Sequence, residues 1–268
     1  MDSSLVLLAL GLTLIAGLST GVGSLIAFAA RKTNARFLST SLGLSAGVML
    51  YVSFMELMPE AVTLLQEGRD ERTAQSVMLL AFFVGIALIA LIDYLVPEED
   101  NPHEVHTLEP VSMESSDSSS QLKRTGLFMA LAIGIHNFPE GLATFSAALT
   151  NLDIAIPIVL AIALHNIPEG IAVSVPIYQA TGNRRKAFWL SLLSGMAEPL
   201  GALLGYLVLL PFWSPTVNAL LLAFVSGIMV YISFDELLPE TERYGHHHYG
   251  VFGVVMGMAL MAVSLLML

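Results

Sequence analysis

The chain has 268 residues, of which 55% are apolar and only 12% charged, where an average soluble domain carries about 25% charged residues. That deficit points away from a soluble domain and toward a membrane protein, and a net charge of −11 argues against a nucleic-acid partner. There is no cysteine, which excludes disulfides and thiolate metal sites and leaves His, Asp, Glu, Asn and water as ligands.

A helix needs about 20 apolar residues to cross a bilayer. In chain order the apolar runs predict eight spans, at 5–30, 38–60, 76–96, 125–149, 154–178, 187–210, 216–240 and 249–268. The first run exceeds a signal-peptide core of roughly 7–15 residues, and its basic residues (Arg31, Lys32, Arg36) follow it. It therefore reads as a true span. The whole chain, 1–268, reads as one transmembrane domain. The sizeable loop, "PEEDNPHEVHTLEPVSMESSDSSSQLKRTG" at 97–126, is acid- and Ser-rich and predicts a flexible segment.

Lys and Arg set orientation, with the excess on the cytoplasmic side. An outside N-terminus puts Arg31, Lys32, Arg36, Lys123, Arg124, Arg184, Arg185, Lys186 and Arg243 inside, which is nine of the eleven basic residues. Only Arg69 and Arg72 fall outside. With eight spans, both termini are then extracytoplasmic and the 97–126 loop is cytoplasmic.

An internal repeat is present. "AGVMLYVSFMELMPE" (46–60) and "SGIMVYISFDELLPE" (226–240) agree at nine of fifteen positions without gaps. They fall in spans two and seven, which cross in opposite directions. A second pair, "HNFPEG" (136–141) and "HNIPEG" (165–170), falls in spans four and five. Together they predict an all-α polytopic fold with an inverted repeat, spans 1–3 against 6–8 and spans 4–5 paired between them. Secondary transporters are commonly built this way, with the substrate site near the midplane.

The charged residues of the middle spans carry the chemistry. Glu140, Glu169 and Glu198 have no Lys or Arg deep in any span to pair with them. Left ionised and alone, each costs roughly 3 kcal/mol, so they are protonated or they hold a cation. Geometry favours the cation. Residues i and i+4 share a helix face, so His136 points with Glu140 and His165 with Glu169, while Asn137 and Asn166 lie about 100° round the helix. Pro139 and Pro168 remove the hydrogen bonds to the carbonyls of Ile135 and Leu164 and are expected to open the helix there. Gly141 and Gly170 permit close helix approach. Glu198, followed by Pro199, adds a third carboxylate. The set makes two adjacent cation sites. Imidazole with carboxylate suits zinc and ferrous iron, and the Asn/Glu set is harder, fitting iron, manganese or cobalt. A single His or Asn in a membrane helix often only ties helices together. Two copies plus a third carboxylate weigh against that reading.

Other positions carry less. Glu56 and Glu236 are pathway candidates near span ends, with Asp235 beside them. Glu60 and Glu240 read as solvated ends, and Asp93 as interfacial. His103, His106 and His246–His248 are candidates for catching metal on the cytoplasmic side. "GLSTGVGS" in span one reads as helix packing. A membrane-embedded di-metal enzyme is the rival reading. Di-iron bundles use Glu-x-x-His and zinc proteases His-Glu-x-x-His. Neither order occurs here, and no nucleophile accompanies the cluster, so no enzyme activity is expected. There is no nucleotide-binding loop for direct use of ATP.

The paired "HNxPEG" motifs, "GMAEPLGA" (195–202) and "DYLVPEEDNPHE" after span three resemble the ZIP (Zrt/Irt-like) family of divalent-metal transporters, and within it the bacterial ZupT branch, over essentially the whole chain. The resemblance implies eight spans with both termini outside, a bacterial inner-membrane location, and a carrier that is often a homodimer. It implies uptake of zinc, and of iron, manganese and cobalt, as transported substrates rather than cofactors. It also implies a binuclear centre. One site would use His136, Glu140, His165 and Glu169, and the other Asn137, Asn166, Glu169 and Glu198. Some members place a further ligand in span two, where this chain has Val52, which cannot coordinate.

Overall fold

The computed structural model describes residues 3–29, 35–95, 134–135, 137–149, 152–209, 212–243 and 245–267. Every regular element among them is helical. Helix α1 is Ser3–Ala29 and α2 is Ala35–Val52. A π-helical turn, Ser53–Leu57, carries α2 without a break into α3, Met58–Gln66. Then come α4, Glu71–Leu95, α5, 137–149, and α6, Leu152–Thr181. After α7, Arg184–Gly195, and α8, Ala197–Leu209, follow α9, Pro215–Ile232, a second π-helical turn at Ser233–Leu237, α10, Leu238–Arg243, and α11, His247–Met267.

Seven helical stretches among the described residues are long and apolar enough to cross a membrane. They match seven of the eight expected spans. The expected fourth span, 125–149, is seen only as α5 with residues 134–135. The rest of it lies outside the described residues, as does the whole of 97–126 with His103 and His106.

Among the described residues, local chemistry sets several helix ends. Asp70 begins α4, with its carboxylate accepting from the Thr73 amide at 3.0 Å and the Thr73 hydroxyl at 2.6 Å. Asn183 caps α7 by accepting from the Lys186 amide at 3.0 Å, just after Gly182 turns the chain at φ +64°. Ser214 caps α9 through the Val217 amide at 3.2 Å, with Pro215 in the first helical position, where its missing N–H is harmless.

Burial inverts the soluble pattern. Leu7, Ile15, Phe83, Val255 and many other large apolar side chains face outward, which only a lipid surround makes favourable. Spans α4 and α11 bury 28% and 22% of their apolar windows, whereas those of α2 and α9 are 67% buried and that of α6 69%. The latter three therefore form the middle of the bundle. Interior polar residues are abundant: Thr20, Ser45, Ser53, Asn137, Glu140, His165, Asn166, Glu169 and Glu198 are all 0% exposed.

Helices meet through glycines, because hydrocarbon supplies no hydrophobic drive between spans and close backbone packing must replace it. α2 lies on α11, and a Cβ at Gly47 would overlap the carbonyl of Val254. α4 lies on α9, and a Cβ at Gly227 would overlap the carbonyl of Phe82. α1 lies on α6 and α7, with Gly17 and Gly195 facing one another.

One expectation is corrected. α6 runs through Pro168 as a single helix of 30 residues; the turn before Pro139 includes His136, which lies outside the described residues. Pro168 removes an N–H donor without opening its helix. The break lies instead at Met196, between α7 and α8. Pro199 cannot donate to the Gly195 carbonyl four residues earlier, and the helix loosens one turn before the proline.

Candidate metal centre

Helix α6 carries His165 and Glu169 one turn apart on one face, and α5 brings Glu140 against them. His165 Nε2 stands 3.1 Å from Glu140 Oε1 and 3.9 Å from Glu169 Oε1. One ligand atom from each of Glu140, His165 and Glu169 lies within 4.8 Å of the others. Two carboxylates and an imidazole converging at that range, fully buried, form a set that could hold a divalent cation. Spacing predicted the shared face of His165 and Glu169, the family resemblance implied Glu140 beside them, and the structure brings the three together.

The amides are held by backbone carbonyls of other helices. Asn166 Nδ2 donates to the Ala16 carbonyl of α1 at 3.0 Å and also to a Glu198 carboxylate oxygen. Asn166 Oδ1 is buried and accepts no hydrogen bond. Flipping the amide would set Oδ1 against a carbonyl and a carboxylate, so the orientation is fixed by repulsion as well as attraction. Asn137 Nδ2 likewise donates to the Ser194 carbonyl at 3.4 Å. Sequence reasoning missed both carbonyl partners. Main-chain groups leave no mark in a side-chain pattern.

Glu198 stands in the first turn of α8, immediately after the break at Met196. A helix N-terminus favours a carboxylate there, and the Asn166 amide adds a donor. His136, the remaining expected ligand, lies outside the described residues.

The secondary candidates fall on other elements. Glu56 lies in the first π-helical turn, and Asp235 and Glu236 lie in the second; all three are half-buried. Glu60 and Glu240 follow at half-buried positions in α3 and α10. Val52 is buried at the end of α2. His247 pairs with Glu242 at 2.7 Å on the exposed surface, while His246 stacks edge-on against Tyr249.

A family model described as the ZIP zinc transporter matches residues 93–265. The chain belongs to the ZIP family. Its relatives in that family match from end to end. The zinc transporter ZupT of Streptococcus mutans is 58% identical over 256 residues, covering 96% of each chain. The zinc transporter ZupT of Nitratidesulfovibrio vulgaris is 57% identical over 274 residues, covering 100% of this chain and 99% of the other. That of Clostridium perfringens is 53% identical over 274 residues, covering 98% and 96%. These ZIP relatives are named as transporters, not enzymes, and the apolar helices described here make this chain a multi-pass membrane protein.

Proposed function

We propose that this ZIP protein takes divalent transition-metal cations into the cytoplasm, zinc foremost and iron, manganese and cobalt besides, through a binuclear centre in the middle spans. The observation that carries the reading is the buried convergence of Glu140, His165 and Glu169 within 4.8 Å. Carboxylates this deep need a cation or a proton, and no Lys or Arg lies deep in a span. One site is His136, Glu140, His165 and Glu169. The adjoining site is Asn137, Asn166, Glu169 and Glu198, with the unpaired Oδ1 of Asn166 as a ready oxygen ligand.

The architecture we infer is eight spans with an inverted repeat. The paired contacts support it. Exchanging spans 1–3 with 6–8 turns the α2–α11 contact into the α9–α4 contact, and both exist. Gly47 and Gly227 occupy the same position in the repeated fifteen residues and make the same kind of close approach. The π-helical turns fall on matching residues, Ser53–Leu57 and Ser233–Leu237. We infer an inner-membrane location from the resemblance to bacterial members, with both termini outside on the distribution of Lys and Arg.

In this mechanism the cation sheds water onto Glu, His and Asn near the midplane and is released to the cytoplasm when the bundle changes its access. Binding requires ionised carboxylates and a neutral imidazole. The decisive experiment is uptake of zinc and ferrous iron into proteoliposomes, for the unaltered protein and for Glu169→Ala checked for folding. Flux that the variant loses is the expected result. No flux from a folded protein, in either orientation and at several pH values, would overturn the reading.

A further inference from the structure

Residues Gly17, Thr20 and Gly23 of α1 have the same spacing as Gly195, Glu198 and Gly201 around the α7–α8 break. The two triplets also make the same contacts. A Cβ at Gly170 would overlap the carbonyl of Thr20, and one at Gly141 would overlap the carbonyl of Glu198. Gly23 lies against the Ile167 carbonyl, and Gly201 lies against the Phe138 carbonyl, the same position of the two "HNxPEG" motifs. Asn166 donates to Ala16, four residues before Thr20, and Asn137 donates to Ser194, four residues before Glu198. Six contacts thus exchange in pairs, and under that exchange Thr20 falls on Glu198.

Thr20 also shows what a packing residue need not show. It is 0% exposed, and its hydroxyl has no hydrogen-bond partner. A Cβ at Gly195 would lie 2.6 Å from that hydroxyl oxygen and 2.7 Å from the Thr20 Cβ, so the side chain sits against the turn that presents Glu198. Helical threonines ordinarily satisfy the hydroxyl on a carbonyl of the preceding turn, as Thr13 of the same helix does with Leu10 at 2.9 Å. A buried hydroxyl left unpaired costs stability unless something absent here engages it.

We propose that Thr20 is a further metal-facing residue of the centre, its hydroxyl supplying the divalent cation with a neutral oxygen where its counterpart Glu198 supplies a carboxylate. The inference rests on the carrier reading above. Its consequence is a centre symmetric in backbone and asymmetric in charge. One half brings a carboxylate from α8, and the other brings an uncharged oxygen from α1.

The test is equilibrium zinc binding to the purified full chain for Thr20→Val and Thr20→Ser, with metal-free melting as the folding check. Valine keeps the shape against Gly195 and loses the oxygen; serine keeps the oxygen and loses the methyl. A ligand role predicts that the valine variant binds zinc at least about tenfold more weakly, the usual scale for loss of a group supporting a metal. The serine variant should stay near the unaltered protein. Valine binding as tightly as threonine, or serine losing as much as valine, would overturn the proposal. If the valine variant does not fold, Thr20→Ser against Thr20→Ala decides. Both lack the methyl, and equal affinities would again overturn it. Absence of zinc binding by the unaltered protein would count against the carrier reading itself.

Discussion

Asn166 and Ala16, 150 residues apart in the chain, are joined by a 3.0 Å hydrogen bond from a side-chain amide to a main-chain carbonyl. With its other hydrogen on Glu198, the amide has its nitrogen fully employed and its oxygen to spare. Replacing it by leucine of similar bulk takes one donor from the Ala16 carbonyl, which keeps that of the Ser19 hydroxyl at 2.6 Å, and weakens the support of Glu198. A hydrogen bond lost in the interior costs about 1 kcal/mol. Thermal melts in detergent are expected to show that loss for Asn166→Leu without metal. In Asn166→Asp the new carboxylate meets that of Glu198, and zinc should restore stability to the aspartate variant and not to the leucine one. Equal rescue of both would contradict the assignment.

Gly47 and Gly227 should tolerate no side chain. A Cβ on either overlaps a main-chain carbonyl that cannot swing away, and overpacking of this kind costs about 1–3 kcal/mol. Gly11 in α1 has nothing within 4 Å of where its Cβ would stand. There alanine should gain about 0.5–1 kcal/mol by stiffening the helix. Melting of the three single alanine variants in one detergent compares them directly, and the sign should differ between Gly11 and the other two.

Zinc should stabilise the fold. A ligand at one hundred times its dissociation constant adds about 2.7 kcal/mol, seen as a rise in melting temperature that a chelator reverses. Glu169→Gln should abolish the rise. Because binding needs ionised carboxylate and neutral imidazole, the rise should shrink as the pH is lowered, and uptake should follow it. A zinc-induced shift unchanged in Glu169→Gln would place the metal elsewhere.

The start of α4 should weaken in acid. The Thr73 hydroxyl first, and the Thr73 amide second, hold the Asp70 carboxyl below the usual carboxylate range. A carboxyl lowered in the folded state stabilises above its unfolded pKa, about 3.9. That contribution is lost as the pH falls through the folded value. Hydrogen exchange at the Thr73 amide should therefore be slow near neutrality and quicken below about pH 4, corrected for intrinsic rates. In Asp70→Asn this acid step should vanish, since an amide does not titrate.

The sequence shows the spans because lipid demands long apolar runs, and it shows the His165–Glu169 face because i and i+4 are fixed by helix geometry. Glu140 joins them from the facing helix, as the family resemblance implied. What it hides has physical reasons. Ala16 and Ser194 act through carbonyls that every residue possesses. The π-helical turns at Ser53–Leu57 and Ser233–Leu237 carry no composition of their own, and only their repetition marks them. Pro168 reads as a breaker, yet a membrane helix has no water to take up the freed groups, so α6 stays whole. The break moved to Met196, where glycine precedes and proline follows. Thr20 reads as one more small packing residue until its triplet is set beside that of Glu198.

The break at Met196 also bears on how tightly such a centre grips. Glu198 opens a new helix, whose amide end already draws on its negative charge. On the carrier reading, the cation shares that carboxylate with a fixed partial positive charge that never leaves. A ligand drawn from both sides holds its guest loosely, and a vehicle that must unload needs a passenger seat without a lock.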